Sequence, residues 1–298
     1  MIGGIDLGGT KIEARLFDGP EAHTVDLRRS TTPRDSYRAL LDALSDQVRW
    51  LEERSGDPAL PVGLAMPGAL DPDTGVVFVA NLPAGGEAPS RDLTARHGRP
   101  VPVVNDCMAF AYSEATGGAA DGYRSVMGMT LGTGVGGGLC VDGALPHRHA
   151  GLSVEIGHLG VSARTLGRHG LPLFLCGCGR AGCVETYVSG TGLANIAEHL
   201  TGRRTPPEDQ RDEAVLSAWA DIAGEVLTTV QITLDPDAIV LGGGLSNRPD
   251  ILDRLGAGLT AHRLGTARPP ALLRARHGDS SGARGAALIA KAQSDAPR

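Results

Sequence analysis

Apolar residues recur along this chain with two different periods. Leu40, Leu41, Leu44, Val48 and Leu51 follow helical spacing, and Asp35 or Ser36 ahead of them can cap the helix. Glu213 to Leu234 keeps the same period over a longer run and predicts an amphipathic helix. Val62 to Met66, Val101 to Val104 and Ala238 to Leu241 are short apolar runs of strand length. They stop at Pro67-Gly68, Asn105-Asp106 and Gly242-Gly243-Gly244. Further helices are predicted over Ala109 to Thr116, ended by Gly117-Gly118, and over about Gly282 to Ala292. The polar, proline-bearing stretch from Gly202 to Arg211 predicts an exposed loop. Strands alternating with helices predict an α/β protein, with mixed or parallel sheets and helices on their faces.

An internal echo organises these elements. Gly4-Ile5-Asp6-Leu7-Gly8-Gly9-Thr10 opens a segment ending in Phe17-Asp18-Gly19. Gly128-Met129-Thr130-Leu131-Gly132-Thr133-Gly134 opens one ending in Val141-Asp142-Gly143, and the offset is 124 residues throughout. Each copy has the form strand, glycine turn, strand. The repeat predicts two related α/β domains facing one another; the alternative is convergence of two ordinary hairpins.

Composition narrows the function. A chain of 298 residues suggests about two domains. The 41% hydrophobic and 21% charged residues are ordinary for a soluble protein. The net charge of -6 argues against a nucleic-acid binder with a general basic surface. MIGGIDLGGTKIEARLF lacks the basic region and long apolar core of a signal peptide, and no later run of 18 apolar residues predicts a membrane span. A cytoplasmic protein with reduced thiols is expected.

The 43 glycines gather in a few clusters, and three of these end strands. Glycine lets backbone N–H groups approach a phosphate closely. Asp6, Gly8, Gly9, Thr10 and Lys11 combine such a turn with a carboxylate, a hydroxyl and an ammonium. Gly132, Thr133, Gly134, Gly136 and Gly137 form a second candidate, and Gly242, Gly243 and Gly244 offer a surface for a flat ligand. None has the spacing of a P-loop or a dinucleotide fingerprint, and together they point to a nucleotide cleft. Asp106, at the end of an apolar strand, is either a general base for a hydroxyl nucleophile or the cap of the following helix. Cys176, Cys178 and Cys183, framed by Gly177, Gly179 and Gly182, can present three thiolates to a metal, with His158 as the best fourth ligand. The alternatives are free thiols or a small disulfide, with His147 and His149 as weaker ligand candidates. Cys107 and Cys140 have no partners at metal spacing and fit buried small hydrophobes.

These motifs resemble the ROK family (repressors, open reading frames and sugar kinases) over essentially the whole chain. The residues that carry the likeness are DLGGTK at 6–11, Asn105-Asp106, GTGVGGG at 132–138, EIGH at 155–158, CGCGRAGCVE at 176–185 and GGG at 242–244. The resemblance implies an actin-like, ribonuclease-H-like two-domain fold with a cleft between the domains, commonly as a homodimer. Its domains would be 1–117 and 118–281, with the closing helix at about 282–298 packing on the first. It further implies ATP and Mg²⁺, the phosphates held by the two glycine turns and the magnesium near Asp6. Asp106 would be the catalytic base for a sugar 6-hydroxyl. Gly68, Asn81, Asn105, Glu155, His158 and Glu185 would line the sugar pocket, with His158 shared with a structural Zn²⁺.

Two departures from the family pattern stand out. Cys107-Met108 follows Asn105-Asp106 where Ala-Asn is usual, and Val154 precedes Glu155 where glycine is usual, so the pocket loop is expected to differ in shape. Within the family, TPRDSY at 32–37, ANLP at 80–83, GGGLSN at 242–247 and RHGD at 276–279 resemble bacterial N-acetyl-D-glucosamine kinases. The small residues Leu82 to Gly86 would leave room for an acetamido group. HGDSSGARGAA at 277–287 equally resembles the fructokinase branch, so fructose, mannose, glucose and N-acetylmannosamine stay open. Repressor relatives carry a helix-turn-helix ahead of the first glycine turn, and none is expected here, because the first strand opens at residue 2. A catalytically inactive sugar-binding regulator is the alternative of a different class.

Overall fold

The computed structural model describes residues 1–19 and 21–296. The last two residues of the expected closing helix, 297 and 298, lie outside them. The chain forms two units. Unit 1 comprises Met1–Asp121, Gly143–Ser153 and Asp279–Arg298; unit 2 comprises Gly122–Asp142 and Val154–Gly278. A single cut near residue 117 therefore does not describe the division. Gly143–Ser153 joins unit 1, where Gly151 sits so close to Leu70 that a Cβ would lie 2.1 Å from its carbonyl oxygen.

Unit 1 is built on β1 (Ile2–Leu7), β2 (Lys11–Asp18), β3 (His23–Thr31), β4 (Val62–Met66) and β7 (Val103–Asn105), in the order β3-β2-β1-β4-β7. The small hairpin β5 (Ala69–Leu70) and β6 (Val77–Phe78) stands apart from this sheet. β1 pairs antiparallel with β2 and parallel with β4. On one face lies α1 (Tyr37–Ser55), capped by the Ser36 hydroxyl, which accepts the Ala39 N–H at 3.2 Å. Its predicted apolar stripe, Leu40, Leu41, Leu44, Val48 and Leu51, enters the core with Ile5, Leu7 and Leu64. α2 (Pro89–His97) and α3 (Asp106–Ala115) follow, and α9 (Ser281–Asp295) returns to unit 1. α9 lies flush on the sheet because the strands beneath it carry glycine. A Cβ on Gly4 would fall 1.9 Å from the Ala283 carbonyl oxygen, and one on Gly63 would fall 2.1 Å from that of Ala286.

Unit 2 carries β8 (Ser125–Leu131), β9 (Val135–Val141), β10 (Ala238–Gly242) and β11 (Ala271–Arg274), in the order β11-β10-β8-β9. Its helices are α4 (Ala163–His169), α5 (Glu185–Val188), α6 (Gly190–Thr201), α7 (Glu213–Leu234) and α8 (Ile251–His262). α7 has the predicted bounds: Asp212 caps its start, and Asp235 ends it in a left-handed conformation. The core gathers Met127, Met129, Leu131, Tyr187, Trp219 and Ile239. Among the described residues, no helix is long and apolar enough to cross a membrane.

Candidate active site and metal centre

In unit 1 the first glycine turn joins β1 to β2. Its carbonyls are occupied: Thr32 Oγ1 donates to Gly8 O at 2.8 Å, Arg34 Nε to Gly9 O at 3.0 Å and the Thr32 N–H to Thr10 O at 3.1 Å. The Gly8 N–H is spent as well, donating to Lys11 O at 2.9 Å. Lys11 opens β2 beside the Glu13 carboxylate, at 3.4 Å. Asp6 pairs across the strands with Glu13. Burial, and then the neighbouring Asp106 carboxylate, push the Asp6 carboxyl up to about 7. Burial also raises the Asp106 carboxyl. Two carboxylates in one poorly solvated place destabilise each other's charge, and such an oxygen donor set fits a hard divalent cation.

Asn105, not Asp106, caps the helix that follows. α3 begins three residues earlier than predicted because Asn105 is its N-cap: Oδ1 accepts the Cys107 and Met108 N–H groups, each at 3.0 Å. Asp106 is thus the first residue of the helix, its Oδ1 accepting the Cys107 N–H at 2.8 Å. Asn105 Nδ2 donates to the Gly68 carbonyl at 3.0 Å, so the buried Asn105 side chain is largely spent on structure and keeps one N–H for a ligand. Gly68 needs its lack of a Cβ, with φ +104 and the Phe78 carbonyl 2.6 Å from where a Cβ would be. Asn81 is exposed. Cys107 and Met108 bury their side chains and support the site through backbone amides instead.

In unit 2 the second turn covers Gly132, Thr133 and Gly134. Gly136 and Gly137, read from the sequence as part of it, are strand residues of β9 paired with Thr130 and Met129. Gly137 serves close approach: a Cβ there would meet the Val154 carbonyl oxygen at 2.4 Å. Gly242 ends β10. Gly243, at φ +80, brings the chain against Leu131 and Gly132, and Gly244 follows. The second and third glycine clusters therefore meet. They border a cavity of about 1090 Å³ lined by Gly132, Thr133, Thr191, Arg211, Gly244 and Arg248, among others, a volume suited to a nucleotide-sized ligand. Part of the loop Gly202 to Arg211 also lines it, where the polar sequence predicts only an exposed loop. A ten-residue polar connection inside a compact unit was the available signal.

The metal candidates converge in the same unit. His158, Cys176, Cys178 and Cys183 offer ligand atoms that all lie within 4.8 Å of one another. Cys178 Sγ is 3.6 Å from Cys183 Sγ, and Cys176 Sγ is 3.8 Å from His158 Nδ1. Tetrahedral zinc with bonds of about 2.3 Å to sulfur sets its sulfurs roughly 3.8 Å apart, so the donor set fits that ion in type and size. Hydrogen bonding from Arg180 pulls the Cys178 thiol down to about 6, while burial pushes Cys176 and Cys183 up. The Cys176 thiol donates to Glu185 Oε1 at 2.9 Å, and a Cβ on Gly134 would lie 2.8 Å from Glu185 Oε2. Glu185 thus stands between the cysteine knuckle and the second glycine turn.

Glu155 and His158 belong to one tight turn. Glu155, at φ −71 and ψ 55, is the apex of an inverse γ-turn closed by the Ile156 N–H on Val154 O at 2.7 Å; a single 3₁₀ turn then carries His158. Val154 keeps the left-handed conformation a glycine would take, at φ +62. For a β-branched residue this costs about 1–3 kcal/mol.

The expected site residues therefore form two sets. Asp6, Gly8, Gly9, Thr10, Lys11, Gly68, Asn81, Asn105 and Asp106 lie in unit 1. Gly132, Thr133, Gly134, Gly136, Gly137, Glu155, His158, Cys176, Cys178, Cys183, Glu185 and Gly242 to Gly244 lie in unit 2.

A hairpin with a buried carboxylate, a second with a glycine turn on a large cavity, and a three-cysteine, one-histidine knuckle are the combination that carried the family resemblance. The ROK family matches residues 2–293, and the chain belongs to that family. It is 41% identical to an N-acetyl-D-glucosamine kinase of Escherichia coli O157:H7, over 97% of this chain and 99% of that protein. It is 40% identical to the N-acetylgalactosamine kinase AgaK of Shewanella sp. (strain ANA-3), over 97% and 96%. Its structure is similar to that of a ROK family glucokinase from Streptomyces griseus in complex with glucose and AMPPNP. That likeness has a TM-score of 0.79 and 30% identity, covering 98% of this chain and 99% of the other. The fold is the actin-like α/β fold of these sugar kinases.

Proposed function

We propose that this protein is an ATP-dependent sugar kinase that transfers phosphate to the 6-hydroxyl of N-acetyl-D-glucosamine, giving the 6-phosphate and ADP. The observation that carries the chemistry is Asp106. Its neighbour Asn105 caps α3; with Asp106 Oδ1 on the Cys107 N–H at 2.8 Å, the proton of an attacking hydroxyl is assigned to Oδ2. Burial raises its carboxyl, which strengthens it as a base once ionised. Asp6 is the residue that would hold Mg²⁺, whose bound charge neutralises the transferring phosphoryl group. The second turn and the cavity beside it suit the ATP phosphates and nucleoside. Glu155, His158, Glu185, Asn81 and the backbone at Gly68 are the proposed sugar contacts, with Zn²⁺ holding the His158 turn in place. The protein is proposed to act in the cytoplasm as a homodimer.

The choice of an N-acetylhexosamine rests on the two curated relatives at about 40% identity, whose names differ in the configuration at one sugar carbon. The test is a coupled ADP-release assay with Mg·ATP and a panel of N-acetylglucosamine, N-acetylgalactosamine, N-acetylmannosamine, glucose, mannose and fructose. The highest kcat/KM is expected with N-acetylglucosamine. A preference for N-acetylgalactosamine or an unsubstituted hexose would keep the kinase and replace the sugar. Absence of turnover with every sugar would favour the inactive sugar-binding regulator.

A further inference from the structure

Four described residues other than glycine have positive φ: Ala22, Asp142, Val154 and Asp235. Aspartate tolerates this region, and alanine has only a Cβ to place. Val154 is the β-branched member of the set. Strain of this kind persists where the surroundings over-determine it, and such places cluster at functional sites.

The surroundings of Val154 are specific. Its side chain packs against the core of unit 2. Its carbonyl seats on Gly137, where a Cβ would collide at 2.4 Å, and accepts the Ile156 N–H at 2.7 Å. Three residues further on, Gly157 lies on the Val135 carbonyl, where a Cβ would fall at 2.1 Å. The turn is thus pressed flat on β9 at two glycine contacts, with the valine side chain as its wedge. Were Val154 to relax to negative φ, its carbonyl would swing off Gly137. The γ-turn bond would then break and the Cα–Cβ direction of Glu155 would change.

We infer that Val154 is a positioning residue, whose anchored side chain holds a strained backbone in the conformation that presents Glu155 and His158. The inference rests on the proposed role of these two residues in sugar and zinc binding. Its consequence differs from that of simple packing. Val154→Ala keeps a Cβ, and with it part of the cost of the left-handed backbone, and loses the two methyls that anchor it. Val154→Gly loses the anchor and the cost together. The alanine variant therefore holds the turn worse than the glycine variant, whereas a packing role ranks them by lost volume, with glycine worse.

The experiment compares wild type, Val154→Ala, Val154→Gly and the branched isostere Val154→Thr in steady-state kinetics, with thermal melts confirming that each is folded. The sugar KM is expected to rise about tenfold in the alanine variant and about threefold in the glycine variant. The threonine variant is expected to stay within about twofold of wild type, and kcat at saturating sugar to change less than about twofold throughout. A glycine variant at least as impaired as the alanine variant, or both within twofold of wild type, overturns the inference. Should wild type phosphorylate no sugar, the functional reading falls separately. The same ranking is then sought in the rate of zinc loss to a chelator, since His158 ends this turn. Glycine at least as fast as alanine, or neither faster than wild type, overturns it there.

Discussion

The two hairpins of the sequence echo share a topology and differ in chemistry. β2-β1-β4-β7 in unit 1 has its counterpart in β9-β8-β10-β11 in unit 2: an antiparallel hairpin, then two further strands in parallel. The registers nevertheless differ by one residue. Leu7 pairs with Ile12, whereas Leu131 pairs with Val135, so the second turn is one residue shorter. At matching positions stand Asp6 and Thr130. Asp6 is a carboxylate pushed up by burial and by Asp106; Thr130 Oγ1 accepts the Gly136 N–H at 3.2 Å and brings no charge. One scaffold thus carries a buried carboxylate before the turn in unit 1 and an uncharged hydroxyl at the matching position, beside a cavity, in unit 2. On the proposed function the first would serve a cation and the second the nucleotide. The difference teaches that the strands supply position, while a single residue beside each turn decides whether it carries charge.

If labour is divided in this way, changes in unit 1 act on the chemical step and changes in the second turn act on nucleotide binding. The largest effect is expected from Asp106→Asn, which should lower kcat by about 10³-fold while sugar binding by calorimetry persists. Full activity in that variant would remove Asp106 as the base. A second arm reads the charge of the first hairpin directly. With the Asp6 carboxyl raised to about 7, the folded state keeps a proton that the unfolded chain releases near its ordinary carboxylate value. Its contribution to stability is fully present below pH 4 or so and is lost as pH rises through about 7, with a ceiling of roughly 4 kcal/mol. Denaturant unfolding of the ligand-free protein at pH 5 and pH 8 should show this loss. Asp6→Asn should be relatively more stable at pH 8, and identical pH dependence in both would break the contrast with Thr130. The smallest effect is expected at Thr133, exposed on the cavity of unit 2. Thr133→Ala should raise the KM for ATP about fivefold with kcat unchanged, the size of one lost hydrogen bond. A fall in kcat at constant KM would mean that both turns share the chemical step.

Much of this arrangement was legible in the chain because its signals are local. Ser36 and the stripe to Leu51, the bounds of α7 and the glycine-framed knuckle at Cys176 to Cys183 each need a few neighbouring residues to be recognised. What was not legible turns largely on contacts with other segments. Asn105 also caps α3 and is tied to the Gly68 carbonyl, with one N–H left for a ligand. Gly137 reads as a phosphate glycine from sequence because glycine for a turn and glycine for close approach of a segment 17 residues away are written with the same letter. β3 was not read at all: its exposed, charged alternation, HTVDLRRST, belongs to an edge strand with little core signal. Val154 was read as a misfit to the family loop, whereas its packing holds it in the very backbone state that its shape disfavours.

The glycines under α9 have a consequence for biosynthesis. β1 and β4 emerge from the ribosome long before Ser281–Asp295, the segment that must settle onto Gly4 and Gly63. Both segments of unit 2 precede that helix in the chain, so unit 2 can assemble while one face of the unit 1 sheet is still bare. A nascent chain paused before α9 would display that uncovered sheet to the translation-associated chaperones, making the order of synthesis the reverse of the order of closure.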